Sequence, residues 1–149
     1  MPLSIQIDSM ERWHKDAYPL LHDHWNELGL DLDLKGDIDI DSLAKLEEMG
    51  RASVITVRDA GDVVGYLLAI HHPHLHYKSS PPVFIVDMYY VAPEYRRGLG
   101  VRLLSFMQAY AKRLGCIKLY LSCKVHKDHS DLFKAMGYKL SDYAFVKRI

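Results

Sequence analysis

The chain of 149 residues has only two cysteines, Cys116 and Cys123, and neither stands in a C-x-x-C pair. That spacing excludes the common zinc-ribbon and dithiol signatures, and so few thiols suit a reducing compartment. A charge excess is missing too, since 19 Lys plus Arg balance 19 Asp plus Glu. A nucleic-acid partner would call for a basic surplus or stripe, and none is indicated. No apolar run approaches the length needed to cross a bilayer, so no membrane partner is expected. The first residues, Met1 to Gln6, lack the basic and apolar blocks of a secretory leader, which leaves the cytoplasm as the expected location. No internal repeat stands out. What remains is ordinary: 49% hydrophobic and 26% charged residues, the make-up of one globular domain over residues 1–149.

Hydrophobic periodicity divides the chain into elements. Residues 3–7 alternate as a strand. From Ser9, a plausible N-cap, Trp13, Ala17, Leu20, Leu21, Trp25 and Leu28 share a helical face up to Gly29, with a kink or break at Pro19. A short helix is expected over 41–49. Residues 53–58 and 63–70 read as a hairpin around Asp59-Ala60-Gly61-Asp62. After a His- and Pro-rich loop, 83–91 is the strongest strand. Helical spacing returns over 99–114, followed by a strand at 117–125, a short helix at 131–136, and strands at 138–140 and 143–147. The order βααβββαβαββ predicts a mixed α/β (α+β) fold with helices on both faces of the sheet.

The segment with the most chemistry runs from Val86 to Leu104. It is a strand, a tight turn rich in Arg and Gly, and a helix start. Unpaired N–H groups at a helix N-terminus form an anion site. Gly98 and Gly100 let phosphate oxygens come close to the backbone. Arg96, Arg97 and Arg102 add positive charge. The plainer alternative is a solvated strand-to-helix connection. Two other phosphate motifs fail: no Lys-Ser or Lys-Thr follows Gly100, and Leu103 stands where the dinucleotide fingerprint needs a third glycine.

The run Tyr90-Val91-Ala92-Pro93-Glu94-Tyr95-Arg96-Arg97-Gly98-Leu99-Gly100, followed by Leu103-Leu104, resembles the cofactor motif of the GNAT superfamily of N-acetyltransferases. The element order matches that fold along essentially the whole chain, with a mostly antiparallel central sheet. The resemblance implies acetyl-CoA as co-substrate. Its diphosphate would be held by the turn of Arg96, Arg97, Gly98, Leu99, Gly100 and Val101, with Arg102. Its pantetheine arm would run along Tyr89, Tyr90 and Val91, with His126 nearby. The turn is one residue shorter than the family pattern, with Tyr95 where Arg or Gln is usual, so the arginine that meets phosphate stays open. Downstream, Asp131 to Tyr138 resembles the family ending, but Phe133 stands where many members carry an acidic tyrosine.

The implied reaction is transfer of an acetyl group to an amine, which must first lose a proton. Asp87 interrupts an apolar strand and aligns with an acidic residue that many relatives place beside the acceptor, which makes it the candidate base; a structural Asp is the alternative. His126, His129, Tyr90 and Tyr138 are candidate donors to the departing thiolate, and of these the two histidines are the candidate catalytic residues. Cys123 reads as a plain strand cysteine rather than an acyl carrier. The His71-His72-Pro73-His74-Leu75-His76 run invites a metal, yet no carboxylate or Cys joins it at ligand spacing, so no metal is expected. Asp31, Asp33, Asp37, Asp39 and Asp41 read either as an acidic wall for a cationic acceptor or as a solvated loop with an N-cap. Final strands often mediate dimers in this fold, so a homodimer is an expected partner state. The rival readings are a non-catalytic coenzyme A-binding or interaction module, and a nucleotide-binding switch.

Overall fold

The computed structural model describes residues 2–29 and 37–149. Its centre is a five-stranded sheet in the order β1-β2-β3-β4-β5, with β1 Ser4–Asp8, β2 Ala52–Asp59, β3 Asp62–Pro73, β4 Pro82–Val91 and β5 Lys118–Tyr120. The first four strands pair antiparallel and β5 runs parallel to β4. Helices α1 Met10–Asp16, α2 Tyr18–Leu28, α3 Ile40–Glu48, α4 Leu99–Arg113 and α5 Ser130–Ala135 complete the fold, with a single 3-10 turn at Pro93–Tyr95.

Local chemistry explains most boundaries. Ser9 caps α1 through its hydroxyl, which accepts from the Arg12 N–H at 3.2 Å. The expected break falls at Ala17, where α1 ends and α2 starts with Pro19 in its first turn, a position that needs no proline N–H. The β2–β3 hairpin turns on Ala60 and Gly61, both at positive φ, as a two-residue loop requires. Asp39 caps α3 by accepting from the Ser42 N–H at 3.1 Å.

Two cores follow from the alternation of the strands. Trp13, Ala17 and Leu20 pack on Tyr66, Leu68 and Tyr90 on one face. On the other, Leu99, Leu103, Leu104 and Met107 of α4 cover Ile55, Leu67, Phe84 and Val86. An ion pair between buried side chains, Arg58 Nη2 to Asp8 Oδ2 at 2.8 Å, ties β2 to the end of β1.

Three expectations change. The His-rich run is not all loop: β3 continues through His71, His72 and Pro73, because β4 pairs with it as far as Pro82. The strand expected over 117–125 forms only at Lys118–Tyr120, so Cys123 lies outside it. No strand forms over 138–147, and Leu140, Tyr143, Phe145 and Val146 are exposed. With so short a β5, the sheet offers these residues almost no ladder to join.

Candidate cofactor cleft and active site

Strand β4 outruns its neighbour. Its pairing with β5 covers only Val83, Phe84 and Ile85 against Lys118, Leu119 and Tyr120, yet β4 continues to Val91. Beyond Ile85 the two strands part, leaving one edge of β4 open along Tyr89, Tyr90 and Val91. The side chains of Tyr90 and Val91 are buried, and because the Ala92 N–H bonds the Val64 carbonyl of β3, alternation turns the main-chain groups of Tyr89 and Val91 toward the split. An extended chain bearing amides could pair with such an edge as an added strand would.

At the end of that edge lies the glycine turn. Gly98 sits at φ 80° as the N-cap of α4, with no side chain capping the helix and no acidic residue in its first turn. A Cβ built on Gly98 or Gly100 would meet nothing within 4 Å, so both glycines border open space. Uncapped N–H groups facing unfilled room suit a diphosphate. Leu99 contributes only backbone, since its side chain is 3% exposed in the core. Arg97, Val101 and Arg102 are exposed around the turn.

Arg96 is engaged elsewhere. Its Nη1 and Nη2 donate to Glu27 at 3.0 and 2.7 Å, and its Nε donates to the Val91 carbonyl at 2.9 Å. Glu27 also accepts from the Tyr90 hydroxyl at 2.8 Å and pairs with Lys127 at 3.0 Å. The Arg96 hydrogen bonds pull the Glu27 carboxyl down from 4.5 to about 2. Burial, reinforced by the bond to Glu27, pushes Tyr90 up to about 12, so its hydroxyl is a poor proton donor. Behind Tyr90, the His24 ring stacks at 4.6 Å and its Nδ1 hydrogen-bonds the Tyr66 hydroxyl. Sequence reasoning missed Glu27 and Lys127, because no local pattern marks a glutamate at the end of a helix as the partner of a distant turn.

Asp87 occupies a β-bulge. Ala69 pairs with Val86 and Leu68 with Met88, which leaves Asp87 as the extra residue. Its side chain is exposed. Bulges re-aim side chains and recur beside active sites. His126 is exposed in the turn after β5, and His129 precedes α5, with its ring 6.2 Å from Tyr89 and 6.4 Å from Phe133. Among the described residues, no hydrogen bond or ion pair joins Asp87 to either histidine. The hydroxyls of Tyr89 and Tyr138 are buried without a partner, each on a ring 6.2 Å from Phe133. Burial pushes both tyrosines upward.

Cys123 accepts from the His129 N–H at 3.4 Å and donates toward Asp128 at 3.6 Å. Asp31 and Asp33 lie outside the described residues, while Asp39 acts as a helix cap. Among the described residues, no helix is long and apolar enough to cross a membrane, and no group of three or more His, Cys, Asp or Glu could hold a metal.

Three solved structures with the same fold cover nearly the whole chain. The ribosomal-protein-alanine N-acetyltransferase from Brucella melitensis biovar Abortus 2308 is 20% identical, with TM-score 0.75 and 99% of each chain covered. Glucosamine-6-phosphate N-acetyltransferase from Arabidopsis thaliana is 13% identical, with TM-score 0.74 and 99% of each chain covered. A transcriptional regulator from Bacillus halodurans C-125 is 15% identical, with TM-score 0.77, covering 99% of this chain and 100% of its own. No curated protein sequence matches. The sequence model of the acetyltransferase (GNAT) family matches residues 7–138, and with the uncapped glycine turn at the end of an open strand, this chain belongs to that family of acetyl-CoA-dependent acetyltransferases.

Proposed function

We propose that residues 1–149 work as one domain that moves an acetyl group from acetyl-CoA directly to a primary amine in a ternary complex. The observation that carries this reading is the uncapped turn at Gly98 leading back along an open strand edge to an exposed carboxylate at the bulge. The co-substrate supplies an activated thioester. The backbone of Leu99, Gly100 and Val101 binds its diphosphate, with Arg97 and Arg102 neutralising charge. Tyr89 to Val91 orient the pantetheine arm through main-chain groups, and His126 flanks it across the split.

Asp87 takes the ammonium proton, through water, and so frees the lone pair for attack on the thioester carbonyl. As the carbon–sulfur bond breaks, the thiolate receives a proton from His129, which stands beside the position that Phe133 leaves without a hydroxyl. Two free thiols fit a reducing compartment such as the cytoplasm. The exposed Leu140, Tyr143, Phe145 and Val146 and the short β5 edge favour pairing with a second copy, to be tested by light scattering.

The rival is a coenzyme A-binding module without turnover, favoured by Phe133 and by the regulator that shares the fold. Calorimetric titration with acetyl-CoA, followed by thiol release with a panel of amines, separates the two. Asp87→Asn is expected to bind acetyl-CoA as the wild type does and to turn over about 100-fold slower or worse. Binding with no transfer to any amine, or an unchanged rate in Asp87→Asn, overturns the proposed chemistry.

A further inference from the structure

A cavity of about 460 Å³ lies along the paired stretch of β4, lined there by Val83 and Ile85, and reaches Ile85 and Tyr120, the last pair before β4 and β5 part. The other walls include His72 of β3 and the connecting residues His74, Leu75 and His76. That volume is in the range of small-molecule sites. Its side of the sheet follows from register. Ile85 pairs with Ile70, which packs with the α1–α3 core, and cross-strand partners share a face. Asp87 lies between Ile85 and Met88, and Met88 also packs on that core. From Ile85 to Asp87 is two residues, about 7 Å of strand.

The lining is aromatic and apolar. The rings of His74 and His76 lie 5.2 Å apart, and the Nδ1 of His72 donates to the Pro73 carbonyl at 2.8 Å, which fixes that ring. Among the described residues, no carboxylate lines the cavity. A second ammonium placed there would lose water without gaining a counter-charge. A planar ring would instead meet imidazole and phenol faces and edges.

We infer that this cavity receives an aromatic ring of the acceptor, so that the amine presented to Asp87 belongs to an arylalkylamine with a two- or three-carbon tether. The inference rests on the acetyl-transfer reading for the amine end, whereas the ring site stands on the cavity itself. Acceptors that carry a second ammonium are disfavoured by the same described lining.

The test compares 2-phenylethylamine, butylamine and putrescine as acceptors. Burying about 55 Å² of ring surface is worth roughly tenfold in kcat/KM, so 2-phenylethylamine is expected to lead both others by about tenfold or more. Leu75, 89% exposed, can be changed to Glu without disturbing the fold. Leu75→Glu is expected to lower kcat/KM for 2-phenylethylamine and raise it for putrescine, so that the lead of the aromatic amine over the diamine is erased. Ring binding is read separately, by saturation-transfer NMR of 2-phenylethylamine without acetyl-CoA, with wild type and Leu75→Glu compared. Equal kcat/KM for all three amines, or ring contacts that Leu75→Glu leaves intact, overturns the inference. Loss of acetyl-CoA binding or of all turnover, with ring contacts still present and sensitive to Leu75→Glu, overturns the acetyl-transfer reading and leaves the ring site standing.

Discussion

Gly100→Ala isolates what the glycine turn is for. Gly100 is the second residue of α4, its φ is not positive, and an added Cβ would touch nothing within 4 Å. Alanine there gains part of the Gly-to-Ala helix preference, about 0.5 kcal/mol near a helix end. For a domain of this size the ligand-free Tm should rise by about 1–2 °C. In the proposed cradle, the same Cβ would stand where a phosphate oxygen approaches the first-turn N–H groups. Losing one charge-assisted hydrogen bond costs about 1.5–3 kcal/mol, so affinity for acetyl-CoA should fall about tenfold or more. At 100 times the wild-type Kd, acetyl-CoA stabilises the wild type by about 2.7 kcal/mol, and a tenfold weaker variant by about 1.4 kcal/mol. Thermal melts with and without acetyl-CoA read both effects at once. A lower ligand-free Tm, or an undiminished shift with acetyl-CoA, would refute the account of the turn as an open cradle.

The arginines should divide by role. Arg96→Ala removes the Glu27 pair, the bond to the Val91 carbonyl and a guanidinium 5.2 Å from the Tyr90 ring. After allowance for solvent screening of a side chain 41% exposed, the expected loss is about 1.5–2 kcal/mol in urea unfolding. Arg97→Ala should leave unfolding within about 0.5 kcal/mol of wild type but weaken acetyl-CoA binding severalfold, with a shallower salt dependence; the reverse pattern defeats the assignment. Acid should destabilise the fold through His24, whose pKa burial lowers from 6.5 to about 4. The neutral ring is native, so its contribution is complete above pH 6.5 and is lost as pH falls toward 4, roughly 2 kcal/mol between pH 7 and 4.5. His24→Phe should flatten that slope in urea midpoints, and an unchanged slope would place the proton elsewhere.

The sequence by itself determined the local chemistry. Ser9 as a cap, the break before Pro19, the Ala60-Gly61 hairpin and the uncapped turn at Gly98 were all legible, because each depends on residues within a turn or two of one another. Motif and element order together were enough to indicate the family. Tertiary structure decided the rest. Arg96 reads like Arg97 in the sequence, yet a glutamate 69 positions away claims it, and only packing of α2 beside β4 brings the two together. The bulge that frees Asp87 depends on the register of β3 against β4, and the open strand edge depends on where β5 stops pairing. The alternating run near the C-terminus carries a strand's pattern, but a strand needs a neighbour's hydrogen bonds, and β5 is too short to offer them. Periodicity and caps are properties of a segment; ladders, ion pairs and clefts are properties of two segments meeting, and their energies exist only once the chain has folded.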